Sequence, residues 1–413
     1  MGRQRIYLKP FLEDGSDYDD WVEVTSDVLQ LGSISQTLDV SEYNVGVFTN
    51  STFSLGLRNS HGKYSDVDLP TSIFKIKRAD SLIKVTWDPA ERDYVVPFAS
   101  SEDFLGAETV VFEGVLNDDS TLMHLRGQNI SFDAMGYEAL FERALIDDTW
   151  SGSPPASNLA STILKRILAI AAASTTVSVL TIDNLQVVPG NDITWDDLSV
   201  FINKTVKEAL DLLLTGTNSV LYMDGTTPVV SARSAGAAVQ FNFYGPASVE
   251  GRENIIDLNS VSSGLNRTFN VLTWITSENP PATNLSSVDS SSSLTYGTRK
   301  KNVTVDGLTT EATQQSVIDA IRTEFGTPKQ ELILITPMTI DALAISLLDR
   351  VTIDFPLIPT DPDPALYGSA QYGIDQYSQE VSSFVIDSAS PFKVISRLLD
   401  PKNNQISLNL RRI

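Results

Sequence analysis

Short runs of β-branched and aromatic residues fill the first 146 residues, and Gly, Asn, Asp and Pro separate these runs. The alternation over 53–57 and the apolar content of 73–77 and 82–87 predict strands. A further strand is predicted over 110–116, where Gly114 indicates a bulge or the close approach of another backbone. Many short strands at this spacing favour a barrel or a sandwich.

The pattern changes at 151–155, where Ser-Gly-Ser-Pro-Pro is typical of a linker. Apolar residues then recur at helical spacing around 159–168 and again around 206–214. Between these two predicted helices, Thr194 is followed by two acidic residues, which predicts another helix start. Asp-Gly at 224–225 separates two strand-like runs and predicts a hairpin. The middle of the chain is therefore predicted to be a small α/β module.

Strands are predicted again over 237–275, and the segment 291–355 has a strand, helix, strand order. Residues 277–293 are rich in Pro and Ser and predict a surface loop, followed by a strand over 294–299. Apolar residues at helical spacing predict a helix over 313–325, which Gly326 ends. A strand is expected near 347–353.

The last part of the chain is predicted to be a surface segment followed by a hairpin. Residues 356–379 are rich in Pro, Asp, Tyr and Gly, which is typical of a surface segment. Alternating residues over 392–397 and 406–411 flank a turn at 400–404. The chain is therefore predicted to close with a hairpin.

Composition limits the classes of function. A length of 413 residues suggests two to four domains, and the 42% hydrophobic and 20% charged fractions are ordinary for a globular chain. The 30 Lys and Arg against 52 Asp and Glu give a formal net charge of -22, which excludes a general basic footprint for nucleic acid or anionic membranes. With no cysteines, disulfides, thiolate metal sites and cysteine nucleophiles are excluded.

No secretory signal or membrane anchor is predicted. The first ten residues lack the apolar run of a secretory signal. The apolar segment 163–173 is too short to span a bilayer and contains Lys165 and Arg166. We expect assembly in the host cytoplasm.

Residues with catalytic or metal-binding chemistry are few. His61 and His124 are the imidazoles of the chain, and neither accompanies a Gly-x-Ser-x-Gly motif. The acids around 13–23, including Asp14 and Asp17, lack the calcium-loop register, so a solvated loop is favoured. The pair Asp361 and Asp363 alternates with Pro and is interpreted as a stiff loop. We therefore predict no catalytic, cofactor-binding or metal-binding residues, no cofactor, and no enzymatic activity.

Five motifs resemble successive landmarks of bacteriophage tail hub proteins, which include the central hub of contractile tails and the tail-tip hub of siphophages. They lie at 111–116 (Val-Phe-Glu-Gly-Val-Leu), 222–233, 294–299 (Leu-Thr-Tyr-Gly-Thr-Arg), 347–353 and 406–411 (Ile-Ser-Leu-Asn-Leu-Arg). Each motif alone is weak, but their order extends over nearly the whole chain. The chain ends soon after the closing hairpin, so we expect cell-wall-cutting or receptor-binding parts to belong to other subunits.

The resemblance implies a fold that is mainly β with an α/β insertion. It places a first tail-tube-like β-barrel at 1–146, for which strands near 220–250 are candidates for recruitment. An α/β insertion follows at 147–235. A second, related β-barrel with the helix 313–325 then occupies 236–356, and a C-terminal surface loop and closing hairpin occupy 357–413.

The resemblance also implies a structural role in the tail tip or baseplate of the virion. Three subunits would present six barrels and adapt a sixfold tail tube to a threefold tip. Expected partners are distal tail or tail tube proteins, the tape-measure protein, and tip or fibre proteins, with viral DNA present only in transit through the lumen. An acidic wall suits DNA passage, because it does not hold the phosphate backbone.

A carbohydrate-binding or adhesin-like β protein of the virion surface is the alternative. Tyr367, Tyr372 and Tyr377 lie in a predicted loop and could stack on sugar rings. Tyrosine is also common at protein interfaces, which favours packing against neighbouring subunits.

Overall fold

The structure is a computed structural model of the 413-residue chain. It describes residues 3–13, 15, 17–38, 47–65, 70–77, 79–88, 109–123, 128–174, 179–182, 186–233, 239–245, 254–275, 283–354 and 391–413.

Strands dominate the part of the chain before residue 137. Their bounds are β1 Arg3–Lys9, β2 Val22–Glu23, β3 Val28–Leu31, β4 Ile34–Leu38, β5 Val47–Arg58, β6 Leu82–Asp88, β7 Thr109–Met123 and β8 Asn129–Gly136. A 3₁₀ helix, Tyr137–Arg143, follows β8 directly.

Helices and strands alternate in the middle of the chain. The elements are α1 Ala160–Ser174, β9 Gln186–Val188, α2 Val206–Thr217, β10 Ser219–Asp224 and β11 Thr227–Ala232. The β10–β11 pair is antiparallel, as the Asp-Gly turn predicts.

The remaining elements combine a small helix-containing unit with the closing strands. They are β12 Val239–Tyr244, β13 Asp257–Ser262, β14 Val271–Ile275, β15 Thr283–Val288, α3 Ser290–Tyr296, β16 Lys300–Val303, α4 Glu311–Phe325, β17 Glu331–Pro337, α5 Ile340–Leu343, β18 Arg350–Asp354, β19 Phe392–Asp400 and β20 Gln405–Arg412. The antiparallel β19–β20 pair is the closing hairpin.

Most strands belong to one hydrogen-bonded network. Seventeen described strands are connected in it, mainly by antiparallel pairs, while β14, β15 and β16 form a separate sheet. The network joins the two ends of the chain, because β4 pairs with β19. The fold is thus mainly β with a few helices, as predicted. Among the described strands the pairings do not close a barrel, so the two-barrel layout and its domain boundaries stay proposals.

The protein has two hydrophobic cores, and one of them combines residues from both ends of the chain. The first takes side chains from strands near both ends, such as Ile6 on β1 and Leu408 on β20. The second is built mostly from residues 137–325 and contains the inner faces of α1, α2 and α4. The two chain ends therefore share one core, and most of the second core lies between them in sequence.

The helices α1, α2 and α4 owe their stability mainly to the second core. Thr205 and Glu208 form a capping box at the start of α2, which is worth about 1 kcal/mol. The same helix buries Leu210, Leu213 and Leu214 completely, at about 1.5–3 kcal/mol for each side chain. Packing therefore outweighs capping by several-fold. On α4, where 313–325 is the sequence prediction, Ile321 and Phe325 belong to the same core.

Gly114 on β7 meets the backbone of the next strand, in agreement with the close approach inferred from sequence. A Cβ atom at this position would lie 2.1 Å from the carbonyl oxygen of Met135 on β8. Such a distance cannot be accommodated without moving the strand, so the sheet requires glycine here.

Several local predictions are wrong. Residues 73–77 form bends and not a strand. The predicted loop 277–293 contains β15 and the start of α3, and the predicted strand 294–299 begins inside α3, where the Asp289 side chain caps the helix. The helix expected from Thr194 is reduced to a 3₁₀ helix, Leu198–Phe201. Asp196 instead accepts hydrogen bonds from the backbone of Thr309 and Thr310, which holds its own segment against the start of α4.

Candidate functional site

The structure places His61 in an exposed turn and leaves other sequence candidates outside the described residues. His61 has a φ of 59°, and its carbonyl oxygen accepts a hydrogen bond of 2.6 Å from the Thr71 hydroxyl. His124, Asp14, the pair Asp361 and Asp363, and the three loop tyrosines Tyr367, Tyr372 and Tyr377 all lie outside the described residues.

The acidic segment near residue 20 uses its carboxylates locally. Asp17 Oδ1 accepts a hydrogen bond of 2.7 Å from the Tyr18 backbone, and Asp19 Oδ1 accepts one of 2.8 Å from Asp20. Tyr18 packs on Phe11, with ring centroids 4.5 Å apart. In the part of the chain that the structure describes, no group of three His, Asp or Glu residues is arranged to hold a metal ion. No helix there is long and apolar enough to cross a membrane.

A cleft of about 570 Å³ lies where three parts of the chain meet. One wall comes from β4, β5 and β7, a second from the β10–β11 turn at Asp224, and the third from the segment 343–349. Charged side chains reach it from different walls, notably Glu138 and Arg397.

Glu138 is held in the cleft by the backbone of β5. Its Oε1 accepts a hydrogen bond of 2.5 Å from the Ser51 N–H, while its buried Oε2 has no hydrogen-bond partner among the described residues. Burial raises the pKa of Glu138 to about 6, against the lowering effect of the hydrogen bonds. The Glu138 side chain is therefore a buried acid that takes up a proton as the pH falls through about 6.

The Arg397 side chain on β19 donates its hydrogen bonds to backbone carbonyl oxygens of the cleft wall. Its Nη1 donates hydrogen bonds of 3.0 Å to Leu343 O and 2.6 Å to Ile345 O. Asp349 Oδ2 accepts a hydrogen bond of 2.7 Å from the Ser346 N–H, and burial raises the pKa of Asp349. Arg397 therefore attaches the segment 343–349 to β19, while the Asp349 carboxylate closes a turn within that segment.

A second, smaller cavity of about 210 Å³ is rich in positive charge. The end of β11, the end of α4, and the strands β19 and β20 surround it, and its lining includes Arg233, Lys393 and Arg411. All three side chains are buried, with 6–8% of their surface exposed. We call this space the cationic cavity.

An aromatic ring and a few acids support the cations of the cationic cavity. The Cζ atoms of Arg233 and Arg411 lie 5.1 Å and 5.0 Å from the centroid of the Phe325 ring. Lys393 Nζ donates to the Arg233 carbonyl oxygen. Lys329 Nζ lies 3.3 Å from Glu324 Oε1. The cavity is thus built by contacts among segments that are far apart in sequence.

Sequence reasoning missed the cationic cavity. Lys393 and Arg411 stand at alternating positions of the closing hairpin, where polar residues are ordinarily taken as solvent-facing. The sequence gives one indication of burial, because the hydrophobic residues Phe392, Val394 and Leu410 directly flank these cations. That signal is weak, because alternation alone cannot tell which faces of the strands other elements will cover.

Three solved structures share this fold over nearly their whole length. The tail protein from Neisseria meningitidis MC58 matches with a TM-score of 0.57 at 10% identity, over 99% of this chain and 96% of that chain. The 43 kDa tail protein of prophage MuSo2 from Shewanella oneidensis matches with a TM-score of 0.52 at 12% identity, over 99% and 98%. The prophage tail protein gp18 from Listeria monocytogenes EGD-e matches with a TM-score of 0.52 at 10% identity, over 98% and 94%.

These likenesses confirm, at the level of the fold, the resemblance to phage tail hub proteins. Identities of 10–12% are too low to carry more than the fold. No protein-family model matches the sequence, and neither does any curated protein.

Proposed function

We propose that the chain is a structural protein of a phage tail that forms the hub of the tail tip or baseplate. Three copies form a ring, which adapts a sixfold tail tube to a threefold tip and lines the channel through which DNA leaves. The observation that carries the proposal is the likeness of fold to phage tail proteins over 98–99% of the chain. The role is structural and not enzymatic.

The strand network suits a subunit of a ring. Because β4 pairs with β19, the strands from both chain ends form one continuous wall. Among the described strands, β13 pairs only with β17, and β12 pairs only with β18, while Asn254 covers the second edge of β12 at 242–244. The start of β12 at Val239 and the second edge of β13 are therefore the parts that we propose pair with another chain. Exposed strand edges are normally covered, and a neighbouring copy in a closed ring would cover these.

The charge of the chain fits a conduit for DNA. A formal net charge of -22 in each copy gives a threefold ring a strongly negative surface. Such a wall repels phosphates and lets DNA slide, whereas a basic wall would hold it. Distal tail or tail tube proteins, the tape-measure protein and tip or fibre proteins are the proposed neighbours of the ring.

Light scattering and electron microscopy of the purified chain test the ring. We expect a mass three times the chain mass of 45.1 kDa and class averages with threefold symmetry and six peripheral lobes. A monomer at concentrations of tens of micromolar, without rings in the images, would contradict the proposal. On phage particles, antibody against the chain should label the end of the tail that contacts the host; label along the tail shaft or on the head would also contradict it.

A pair of variants tests the edge of β12. Val239 lies on this edge strand and is 45% exposed, whereas Leu398 is 39% exposed on β19, which has neighbours on both sides. Val239→Glu should shift the trimer towards monomers on dilution, because it buries a charge in the interface. Leu398→Glu, which adds the same charge, should leave the mass unchanged.

A further inference from the structure

We propose that the cationic cavity binds a small oxyanion of the size of sulfate or inorganic phosphate. Its described lining contains five cations and one acid: Arg233, Lys329, Lys393, Arg411, Arg412 and Glu324. This local excess of positive charge stands in a chain whose overall charge is -22. The inference concerns this cavity alone and does not depend on the hub proposal.

The acids near the cavity are already engaged. Glu324 forms its ion pair with Lys329 at 3.3 Å. Glu331, just outside the lining, lies 3.0 Å from Arg267 Nη1 and 3.8 Å from Arg411 Nε. Among the side chains that line the cavity in the described part of the chain, cations therefore outnumber carboxylates.

Arg411 provides a donor suited to an oxyanion. Its Nε is buried and has no hydrogen-bond partner among the described residues, and the nearest carboxylate oxygen, Glu331 Oε1, is beyond hydrogen-bond distance. The Arg411 Cζ lies 5.0 Å from the centroid of the Phe325 ring, a contact that restricts the movement of the guanidinium. A planar fork of N–H donors matches the oxygens of sulfate and phosphate better than a spherical chloride ion.

The cavity has room for such an ion and a route for its entry. Its volume of about 210 Å³ exceeds the space of one water molecule, about 30 Å³, by several-fold, which leaves room for an oxyanion and a few waters. Thr323 and Ile413 belong to the lining and are themselves exposed, so this side of the cavity opens to solvent. The buried cations lie behind them.

Burial and neighbouring positive charge both lower the pKa of lysines in this region. Burial lowers the pKa of Lys393 to about 8, and the nearby Lys329, Arg233 and Arg350 lower it further while Glu324 opposes them. Burial and the neighbouring Arg233 lower the pKa of Lys301 to about 8 in the same way. A bound anion would offset this repulsion, because opposite charge favours the protonated lysine.

Occupancy of the cavity would connect the two cores. Phe325 at the end of α4 belongs to the second core, whereas Val394 and Leu410, beside Lys393 and Arg411, belong to the first. An ion held between these residues would link α4 to the closing hairpin. Because the site exists only in the folded chain, the ion would stabilise the folded state.

Thermal unfolding with sodium sulfate tests the site, with sodium chloride at the same ionic strength as the reference. Millimolar sulfate should raise the Tm above that in chloride, with saturation, and isothermal titration with sulfate or inorganic phosphate should show one site per chain. In Lys393→Met, which keeps the length of the stem, half-saturation should need at least about tenfold more sulfate, since a charge-assisted hydrogen bond is lost. Lys402→Met removes one charge from the exposed turn of the same hairpin and should respond as the wild type does.

Two results of these measurements would overturn the proposed oxyanion site. Equal Tm values in sulfate and chloride for the wild-type chain would overturn the proposal, and so would an unchanged sulfate response in Lys393→Met. Should Lys393→Met fail to fold, Lys329→Met replaces it, because loss of Lys329 leaves the Glu324 carboxylate uncompensated beside the anion. A full sulfate response in that variant would likewise count against the site.

Discussion

The guanidinium of Arg411 lies over the ring of Phe325, with its Cζ 5.0 Å from the ring centroid. Arg233 lies over the same ring at 5.1 Å. Phe325 is the last residue of α4, is 4% exposed, and also packs near Phe269 in the second core. One aromatic side chain therefore ends a helix, fills a core and supports two buried cations.

Phe325→Leu should lower the free energy of unfolding by about 2–4 kcal/mol. The change removes two cation–π contacts of about 0.5–2 kcal/mol each and leaves a small cavity. Urea denaturation followed by tryptophan fluorescence measures the loss. Tyr296→Leu alters an aromatic side chain that is 44% exposed on α3, and its effect should stay within about 0.5 kcal/mol. Equal effects of the two variants would show that the ring does not support the buried cations.

The stability of the chain should rise with pH between about 8 and 10.5 because of Lys393. Burial lowers the pKa of Lys393 in the folded chain, so between these pH values the unfolded chain binds one more proton than the folded chain. Raising the pH removes that proton and therefore favours the folded chain. The contribution is full above 10.5 and is lost as the pH falls through about 8. Its size is on the order of 3 kcal/mol, because the pKa falls from 10.5 to about 8 and each pKa unit corresponds to about 1.4 kcal/mol.

Lys393→Met isolates this contribution from the tyrosines and other lysines that titrate in the same range. Denaturation midpoints measured along the pH series should rise in the wild-type chain and stay flatter in the variant. Parallel pH profiles for the two proteins would show that Lys393 is not the responsible group.

Glu138→Gln should flatten the acid side of the stability profile. The pKa of Glu138 is raised to about 6 by burial, so its contribution is complete below 4.5 and is lost as the pH rises through about 6. Glutamine stays neutral and keeps an acceptor for the Ser51 N–H, so the variant should gain about 1–2 kcal/mol over the wild type at about pH 8. Glu142→Gln, on the same 3₁₀ helix but largely exposed, is the control. A loss of stability in Glu138→Gln at that pH would mean that the charged carboxylate is the stabilising form.

Gly114→Ala should destabilise the chain more than Gly225→Ala. At Gly114 the added methyl group meets the carbonyl oxygen of Met135 at 2.1 Å, so two strands must separate, at a cost of about 3 kcal/mol or more. At Gly225 nothing lies within 4 Å, and only the φ of 57° opposes alanine, at about 1 kcal/mol. Thermal unfolding of both variants gives the comparison. The reverse order would show that β7 and β8 can shift apart easily.

The amino-acid sequence indicates a tail-hub-like fold but gives no sign of the cationic cavity. The order of weak motifs along the chain was sufficient to suggest the tail hub resemblance, and the fold likeness agrees with it. The cavity could not be foreseen, because Arg233 and Arg411 are 178 residues apart in sequence and come together only in the folded chain, over the ring of Phe325. Nothing local in either segment marks its arginine as buried.

By itself, the sequence determined the elements whose signals are local. The Asp-Gly turn specifies the β10–β11 hairpin, alternation specifies β19 and β20, and apolar spacing specifies α4, because turn geometry and side-chain periodicity act within a few residues. Asp289 caps the helix Ser290–Tyr296 locally, but only the tertiary structure placed Ser292 against Gly326 and Asn270, contacts that offset the low helix propensity of serine. Only the tertiary structure, too, paired β4 with β19 and buried Lys393 with Arg411, since contacts across hundreds of residues depend on which faces the fold brings together.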